Sequence, residues 1–163
     1  MKQTYRVMAG LVALGVLVQA AAIAFGWFDA IHELDSGLVI DENYDGNAGH
    51  TLHWINGMYV MPLLGLSLLI VSFFARKEVP GAVKWAGIVF GLIVLQVVLA
   101  FVSFSAPIIG ALHGINALLI LGTAARAVAL TRTTSVARRS SGVGYDVPAQ
   151  STGSAAPQST RSV

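Results

Sequence analysis

The stretch from Leu52 to Ala75, LHWINGMYVMPLLGLSLLIVSFFA, decides the fold because it contains no Asp, Glu, Lys or Arg. A helix of about 24 residues rises roughly 36 Å, which is enough to cross a hydrocarbon core of about 30 Å. Backbone amides in lipid must find partners within their own segment, so such a run forms a helix. We therefore predict a membrane-spanning helix here, with His53 one residue from its start.

Three further apolar runs of similar length follow the same logic, at Val7–Phe28, Val83–Phe104 and Ile108–Leu130. Of the 163 residues only 11% are charged, whereas a soluble domain carries about 25%. We therefore predict an all-α integral membrane four-helix bundle within residues 1–130. Residues 131–163 are rich in Ser, Thr, Gly and Ala, a composition that favours a disordered tail.

The charged residues predict the orientation of this bundle. All ten Lys and Arg residues precede the first run, lie between the second and third runs or at the start of the third, or end and follow the fourth. Six of the eight acids crowd the connection between the first and second runs. Because basic loops stay on the cytoplasmic side, we expect both termini in the cytoplasm and the acidic loop outside. The net charge of +2 then reflects membrane orientation, and we expect no nucleic-acid partner.

The chain also contains an internal repeat. The segment LHWIN at 52–56 returns as LHGIN at 112–116, and GLVALGVLVQ at 10–19 corresponds to GIVFGLIVLQ at 87–96. The offsets are 60 and 77 residues, so a hairpin of two spans occurs twice. Two such hairpins are parallel repeats, related by a pseudo-twofold axis along the membrane normal. The repeat also favours a first span that is retained, although its outline resembles a cleavable leader.

The repeat brings His53 and His113 to the same predicted depth. Ionisable groups inside a membrane are rare and usually functional. This pair suits haem, whose iron accepts one axial imidazole on each face. Joining both rings through one iron separates their Cα atoms by roughly 12–13 Å, whereas neighbouring helix axes are about 8–10 Å apart. We therefore expect the second and fourth spans to lie diagonally across the bundle. The alternative is that each histidine only forms hydrogen bonds between helices.

Three polar neighbours are further candidate cofactor-binding residues. His50 precedes His53 by three residues, so it shares that helix face and could orient a haem propionate, replace the ligand or face water. Asn56 and Asn116 lie one turn inward from the histidines and could contact the surroundings of the ring or tie helices together. Interhelical hydrogen bonding is what we expect of the two glutamines that end the other repeated segment.

The segment GHTLHWINGMYVMPLLGLSLLI at 49–70, followed by IVFGLIVLQVVLAFVSFSAPIIGALHGINALLIL at 88–121, resembles one four-helix half of bacterial haem A synthase. It is also similar to a group of small bacterial four-span membrane proteins of unknown function. The resemblance covers about residues 7–130. It implies a bacterial plasma membrane, and it implies that His53 and His113 occupy haem-ligand positions. The family usually has a glutamate where this chain has His50, and it uses two such halves.

These observations predict a membrane protein that holds one haem b between His53 and His113, near the outer face. Two axial histidines leave the iron no open position, which favours electron transfer or haem handling, and we do not expect an enzyme acting alone. A redox partner at the outer face and a homodimer are both compatible with this interpretation. The alternatives are a cofactor-free membrane scaffold or accessory subunit, and a small transporter.

Overall fold

The computed structural model describes the backbone of residues 1–140 and the side chains of residues 1–132. Within that part the chain is helical and contains no strand, so the predicted all-α fold is confirmed. Four of its segments are long and apolar enough to cross a membrane. The helices are α1 (Lys2–Leu34), α2 (Ala48–Ile55), a π-helical turn (Asn56–Val60), α3 (Met61–Ala75), α4 (Ala82–Ser105) and α5 (Ile109–Ser140).

We call α1 the first span, the continuous stretch from α2 to α3 the second, α4 the third and α5 the fourth. Several boundaries differ from the sequence prediction, and the second span begins at Ala48 rather than at Leu52. The first span continues past Phe28 to Leu34, so the non-helical part of the acidic loop is shorter than predicted. The fourth span continues past Leu130 to Ser140. The rest of the predicted tail, 141–163, lies outside the described residues.

The four spans form a square in which each packs against two neighbours. The first span packs against the second and fourth, and the third also packs against the second and fourth. The two remaining pairs, first with third and second with fourth, face each other across the diagonals with few contacts. This confirms the predicted diagonal placement of the second and fourth spans.

The buried side chains of the first and third spans have the same register. Four buried positions of the first span each have a buried counterpart 77 residues later, which is the offset of the sequence repeat. The pairs are Tyr5 with Ala82, Ala9 with Ala86, Val12 with Val89, and Val16 with Ile93.

The second and fourth spans share a buried stripe as well, but its offset is 59 rather than 60 residues. The pairs are Met61 with Ile120, Gly65 with Ala124, Leu68 with Ala127, and Ser72 with Thr131.

The π-helical turn accounts for this one-residue difference, because a π turn holds one residue more than an α turn. In it, the amide of Met61 donates to the carbonyl oxygen of Asn56. Pro62 follows at once and has no amide hydrogen to donate to the preceding turn, which favours a widened turn at this point. The turn lies one helical turn beyond His53 and so separates the register of the histidine from that of the core.

Close contacts fix both ends of the bundle. At the end with the acidic loop, a methyl group on Gly49 would lie 2.6 Å from the carbonyl oxygen of Ala22, so the absence of a side chain there lets α1 and α2 cross closely. At the opposite end, the buried hydroxyl of Tyr5 donates to the carbonyl oxygen of Ala82 at 3.3 Å. The N-terminal ammonium donates to Glu78 at 3.2 Å and lowers the pKa of that carboxyl.

Candidate functional site

The rings of His53 and His113 face each other across one diagonal of the bundle. Their centroids are 6.4 Å apart and their planes are inclined by 55°. Two imidazoles held on opposite sides of one metal ion by bonds of about 2.0 Å have ring centres roughly 6 Å apart. The predicted ligand pair is therefore brought together at a distance that a single bridging atom can span.

Each histidine is oriented by a backbone carbonyl of the span that precedes it. The Nδ1–H of His53 donates to the carbonyl oxygen of Gln19 at 3.1 Å, and the Nδ1–H of His113 donates to that of Gln96 at 3.1 Å. A carbonyl can only accept, so the hydrogen of each neutral ring lies on Nδ1 and the lone pair on Nε2.

This arrangement is typical of a metal-binding histidine, which usually donates its other nitrogen to a carbonyl or carboxylate. Within the part of the chain that the structure describes, Nε2 of His53 and Nε2 of His113 have no hydrogen-bond partner. Both rings line the same internal cavity. The nitrogen atoms with free lone pairs are therefore the ones available to a ligand.

The two asparagines tie spans together below the histidines. The Nδ2 of Asn56 donates to the carbonyl oxygen of Gly15 at 3.0 Å, and that of Asn116 donates to the carbonyl oxygen of Leu92 at 2.9 Å. Both asparagines are buried, and neither lines the cavity. The structure therefore gives both asparagines the role of tying helices together.

The hydrogen bonds of the histidines and asparagines correspond between the two hairpins. Gln19 and Gln96, like Gly15 and Leu92, are 77 residues apart, and the donors His53 and His113 are 60 apart. The bond from histidine to carbonyl and the bond from asparagine to carbonyl therefore each occur once in each hairpin. Sequence reasoning missed the carbonyl acceptors, although the repeated glutamine marked the level at which they lie.

The two glutamine side chains differ, which breaks this correspondence. Gln96 donates to the carbonyl oxygen of His113 at 3.0 Å and accepts from Nδ2 of Asn116 at 2.6 Å. Gln19 lines the cavity, and its Oε1 is buried without a partner. A buried acceptor without a donor is costly, so the Gln19 amide oxygen is available to a ligand that offers a hydrogen.

The cavity beside the histidines has a volume of about 290 Å³ and is lined by residues of all four spans. None of its described lining residues is charged, and its surface is mostly apolar. The polar side chains that reach it are His53, His113, Gln19 and Gln96. An apolar ligand with a metal centre suits such a surface better than a hydrated ion does.

His50 lies away from this cavity, in the cap at the start of α2. The Asn47 side chain accepts from the amides of Gly49 at 3.0 Å and His50 at 3.3 Å. In return, Nδ1 of His50 lies 3.3 Å from the amide nitrogen of Asn47 and 2.9 Å from its Oδ1. The structure therefore gives His50 a capping role and does not bring it to the other two histidines.

The surroundings of the His50 ring belong to the loop and to α1. The ring packs edge-on against Trp27 at 5.0 Å and Tyr44 at 6.0 Å. Its Nε2 and the hydroxyl of Tyr44 are buried without partners. This cluster fastens the acidic loop to the bundle.

Among the described residues, no group of three or more His, Asp or Glu side chains could hold a metal ion. The His53–His113 pair supplies two ligands, whereas a zinc site usually takes three or four from the protein. No known protein family, curated protein or solved structure matches the chain. The resemblance to haem A synthase therefore stays a prediction.

Proposed function

We propose that the protein binds one haem b within the membrane, with His53 and His113 as the axial ligands of its iron. The observation that carries the proposal is the 6.4 Å separation of the two rings, together with the anchoring of both Nδ1 atoms to carbonyl oxygens. Each ring is thereby held with Nε2 free, as an axial ligand requires. Haem needs only two ligands from the protein because the macrocycle supplies the other four.

The apolar lining of the cavity supports the same ligand class. A macrocycle is a large apolar surface, so its burial beside uncharged side chains is favourable. His53 and His113 would hold the iron, and the surrounding apolar side chains would exclude water from it. With both axial positions taken, bound haem supplies one-electron transfer rather than oxygen activation.

The repeated register of the core supports a duplicated hairpin as the origin of this site. Equivalent residues face each other at both ends of one axis, His53 with His113 at one end and Tyr5 with Ala82 at the other. A twofold axis along the bundle brings equivalent residues together in this way, and such symmetry suits a ligand that takes one nitrogen from each side. We place the acidic loop outside the cytoplasm, on the basis of the charge distribution. A redox partner at that loop and a homodimer stay predictions.

The second candidate is a cofactor-free scaffold or accessory subunit. One specific observation favours it, since the histidines and asparagines all donate to backbone carbonyls of another helix. Such bonds hold membrane helices together without any ligand. Under this function, however, the cavity and the two free Nε2 atoms would have no role.

The test is the visible absorption spectrum of the purified protein after expression with ample haem. The wild type should show a Soret band with haem bound at a ratio of about one per chain. His53→Ala and His113→Ala should each lose most of it, because one remaining ligand cannot clamp the iron from both sides. His32→Ala is the matched control, since His32 lies at the exposed end of α1, and it should bind haem like the wild type. A wild type without haem would refute the proposal and leave the scaffold.

A further inference from the structure

We propose that haem enters this site sideways from the bilayer, through an opening between the first and fourth spans at Gly114. The inference rests on the proposed function, because it concerns the route to the two histidines. It adds which face of the bundle admits the ligand and which residue keeps that face open.

The opening is a set of outward residues that also line the internal cavity. Leu17 and Ala20 border it on the first span, and Gly114 and Leu118 border it on the fourth. These residues are exposed, Leu118 to 68%, yet they line the same cavity as the histidine rings. The cavity is therefore continuous with the lipid-facing surface along this edge of the bundle.

Gly114 keeps the edge open because it has no side chain. A Cβ atom built at this position would meet no atom within 4 Å, apart from its chain neighbours and its own helix. The residue also lines the same cavity as the His113 ring, so a large side chain here would narrow the space beside the histidine pair. The space at Gly114 is thus both accessible and adjacent to the candidate iron site.

The equivalent position in the other hairpin is occupied by Trp54, the one difference between LHWIN and LHGIN. The correspondence of the spans places Trp54 at the gap between the second and third spans, as Gly114 stands at the gap between the fourth and first. The indole is 55% exposed and packs edge-on against Tyr59 at 5.3 Å. A bulky ring therefore occupies this position in one hairpin, while the equivalent position in the other hairpin carries only a hydrogen atom.

The cavity is small for a macrocycle. Its 290 Å³ lies just below the range of about 300–1,000 Å³ that encloses drug-sized ligands. A porphyrin is larger than this volume, so under the proposal part of its rim occupies the opening at Gly114. The leucine side chains at that edge offer the apolar contact that such a rim prefers.

The test compares haem uptake from haem-loaded lipid vesicles by the wild type, Gly114→Trp and Ile115→Trp. Gly114→Trp reproduces the indole of the other hairpin and should slow the rise of the Soret band about tenfold or more. Ile115→Trp adds the same side chain one position along, at a residue that is exposed but does not line the cavity. It should take up haem at the wild-type rate. Circular dichroism establishes that each variant keeps its helices.

Leu17→Trp provides a second variant on the opposite wall, with Leu14→Trp as its control. Leu17 lines the cavity and Leu14 does not, although both are about half exposed. Leu17→Trp should slow uptake and Leu14→Trp should not, and this pair decides the matter if Gly114→Trp fails to fold. Wild-type uptake by a folded Gly114→Trp or Leu17→Trp would overturn the lateral route alone. A wild type that takes up no haem would instead defeat the proposed function.

Discussion

At the scale of single residues, the candidate site depends on which nitrogen of each histidine is engaged. The carbonyl oxygens of Gln19 and Gln96 each accept from Nδ1 at 3.1 Å. These bonds fix the ring rotation and leave Nε2 of both rings available to one ligand. A histidine that only joined two helices would not need a counterpart facing it at 6.4 Å.

The asparagines below the histidines give a prediction at the same scale. Asn56→Leu removes one bond between spans, and Asn116→Leu removes two, to Leu92 and to Gln96. An interhelical hydrogen bond in a membrane protein contributes about 0.6 kcal/mol on average. We expect Asn116→Leu to lower the free energy of unfolding in mixed micelles by about twice as much as Asn56→Leu does.

Thr123→Val is the control for both asparagine variants, because the Thr123 hydroxyl bonds only within its own helix, to Leu119 and Ile120. It should change the free energy of unfolding by less than either asparagine variant. Equal losses for Asn56→Leu and Asn116→Leu would contradict the bonding described here.

Sequence reasoning found the histidine pair because a repeated motif marks it. It did not find the partners of the histidines, because these are backbone atoms with no side-chain signature. It also placed His50 on the face of His53, since the two are three residues apart. The structure instead uses His50 to cap α2 through Asn47, a role visible only once the helix start is known.

At the scale of elements, the π-helical turn Asn56–Val60 sets the relation between site and core. The histidines and asparagines of the second and fourth spans are 60 residues apart, whereas the core pairs beyond the turn are 59 apart. The π turn thus takes up the extra residue of the second span without rotating the histidine and asparagine positions or the core positions. Its effect on register was not predictable from the apolar pattern, which does not reveal where a turn widens.

Deleting Val60 should convert this π turn into an α turn. Met61 would then donate to Asn56 four residues back, so the site and the core would both keep their positions. Deleting Leu119 in the fourth span, which has no such turn, should rotate Ile120 and the core stripe beyond it by about 100°. We expect a thermal midpoint near that of the wild type for the Val60 deletion and a large fall for the Leu119 deletion.

Circular dichroism during heating measures both deletions, and both removed residues are exposed, so neither deletion empties a core position. A Val60 deletion that unfolds as early as the Leu119 deletion would show that the turn is not a removable insertion.

The close crossing of α1 and α2 gives a second prediction for the elements. Gly49→Ala would place a methyl group 2.6 Å from Ala22 O and from the Cα atom of Gly26. Backbone atoms cannot move aside as a side chain can, so we expect a loss of about 1–3 kcal/mol in the free energy of unfolding. Gly87→Ala, with nothing within 4 Å, should leave stability unchanged or raise it slightly. Equal behaviour of the two variants would contradict the crossing.

At the scale of the whole molecule, the charge distribution separates the two ends of the bundle. Apolar run length predicted the four spans and their order, because lipid leaves the backbone few alternatives to a helix. It did not predict that α1 continues to Leu34 or α5 to Ser140, because a helix that leaves the lipid can continue in water without an apolar sequence. The diagonal placement of the two histidine-bearing spans was predicted from the distance that one iron would set between its two histidine ligands.

The proposed orientation predicts which loops a reagent can reach. The chain has no cysteine, so a single introduced thiol can be labelled without background. In intact cells, a membrane-impermeant maleimide should label Ser36→Cys in the acidic loop. Lys77→Cys, between the second and third spans, should be labelled only after the membrane is permeabilised. The opposite pattern would reverse the orientation.

The central claim is that His53 and His113 hold one iron from opposite sides, and electron paramagnetic resonance of the ferric, haem-loaded protein tests it most directly. Two imidazole ligands give a low-spin, six-coordinate iron, so we predict a low-spin signal for the wild type. Removing either histidine should convert it to a high-spin signal or abolish haem binding. A high-spin wild type, or a low-spin signal that survives His113→Ala unchanged, would contradict the claim.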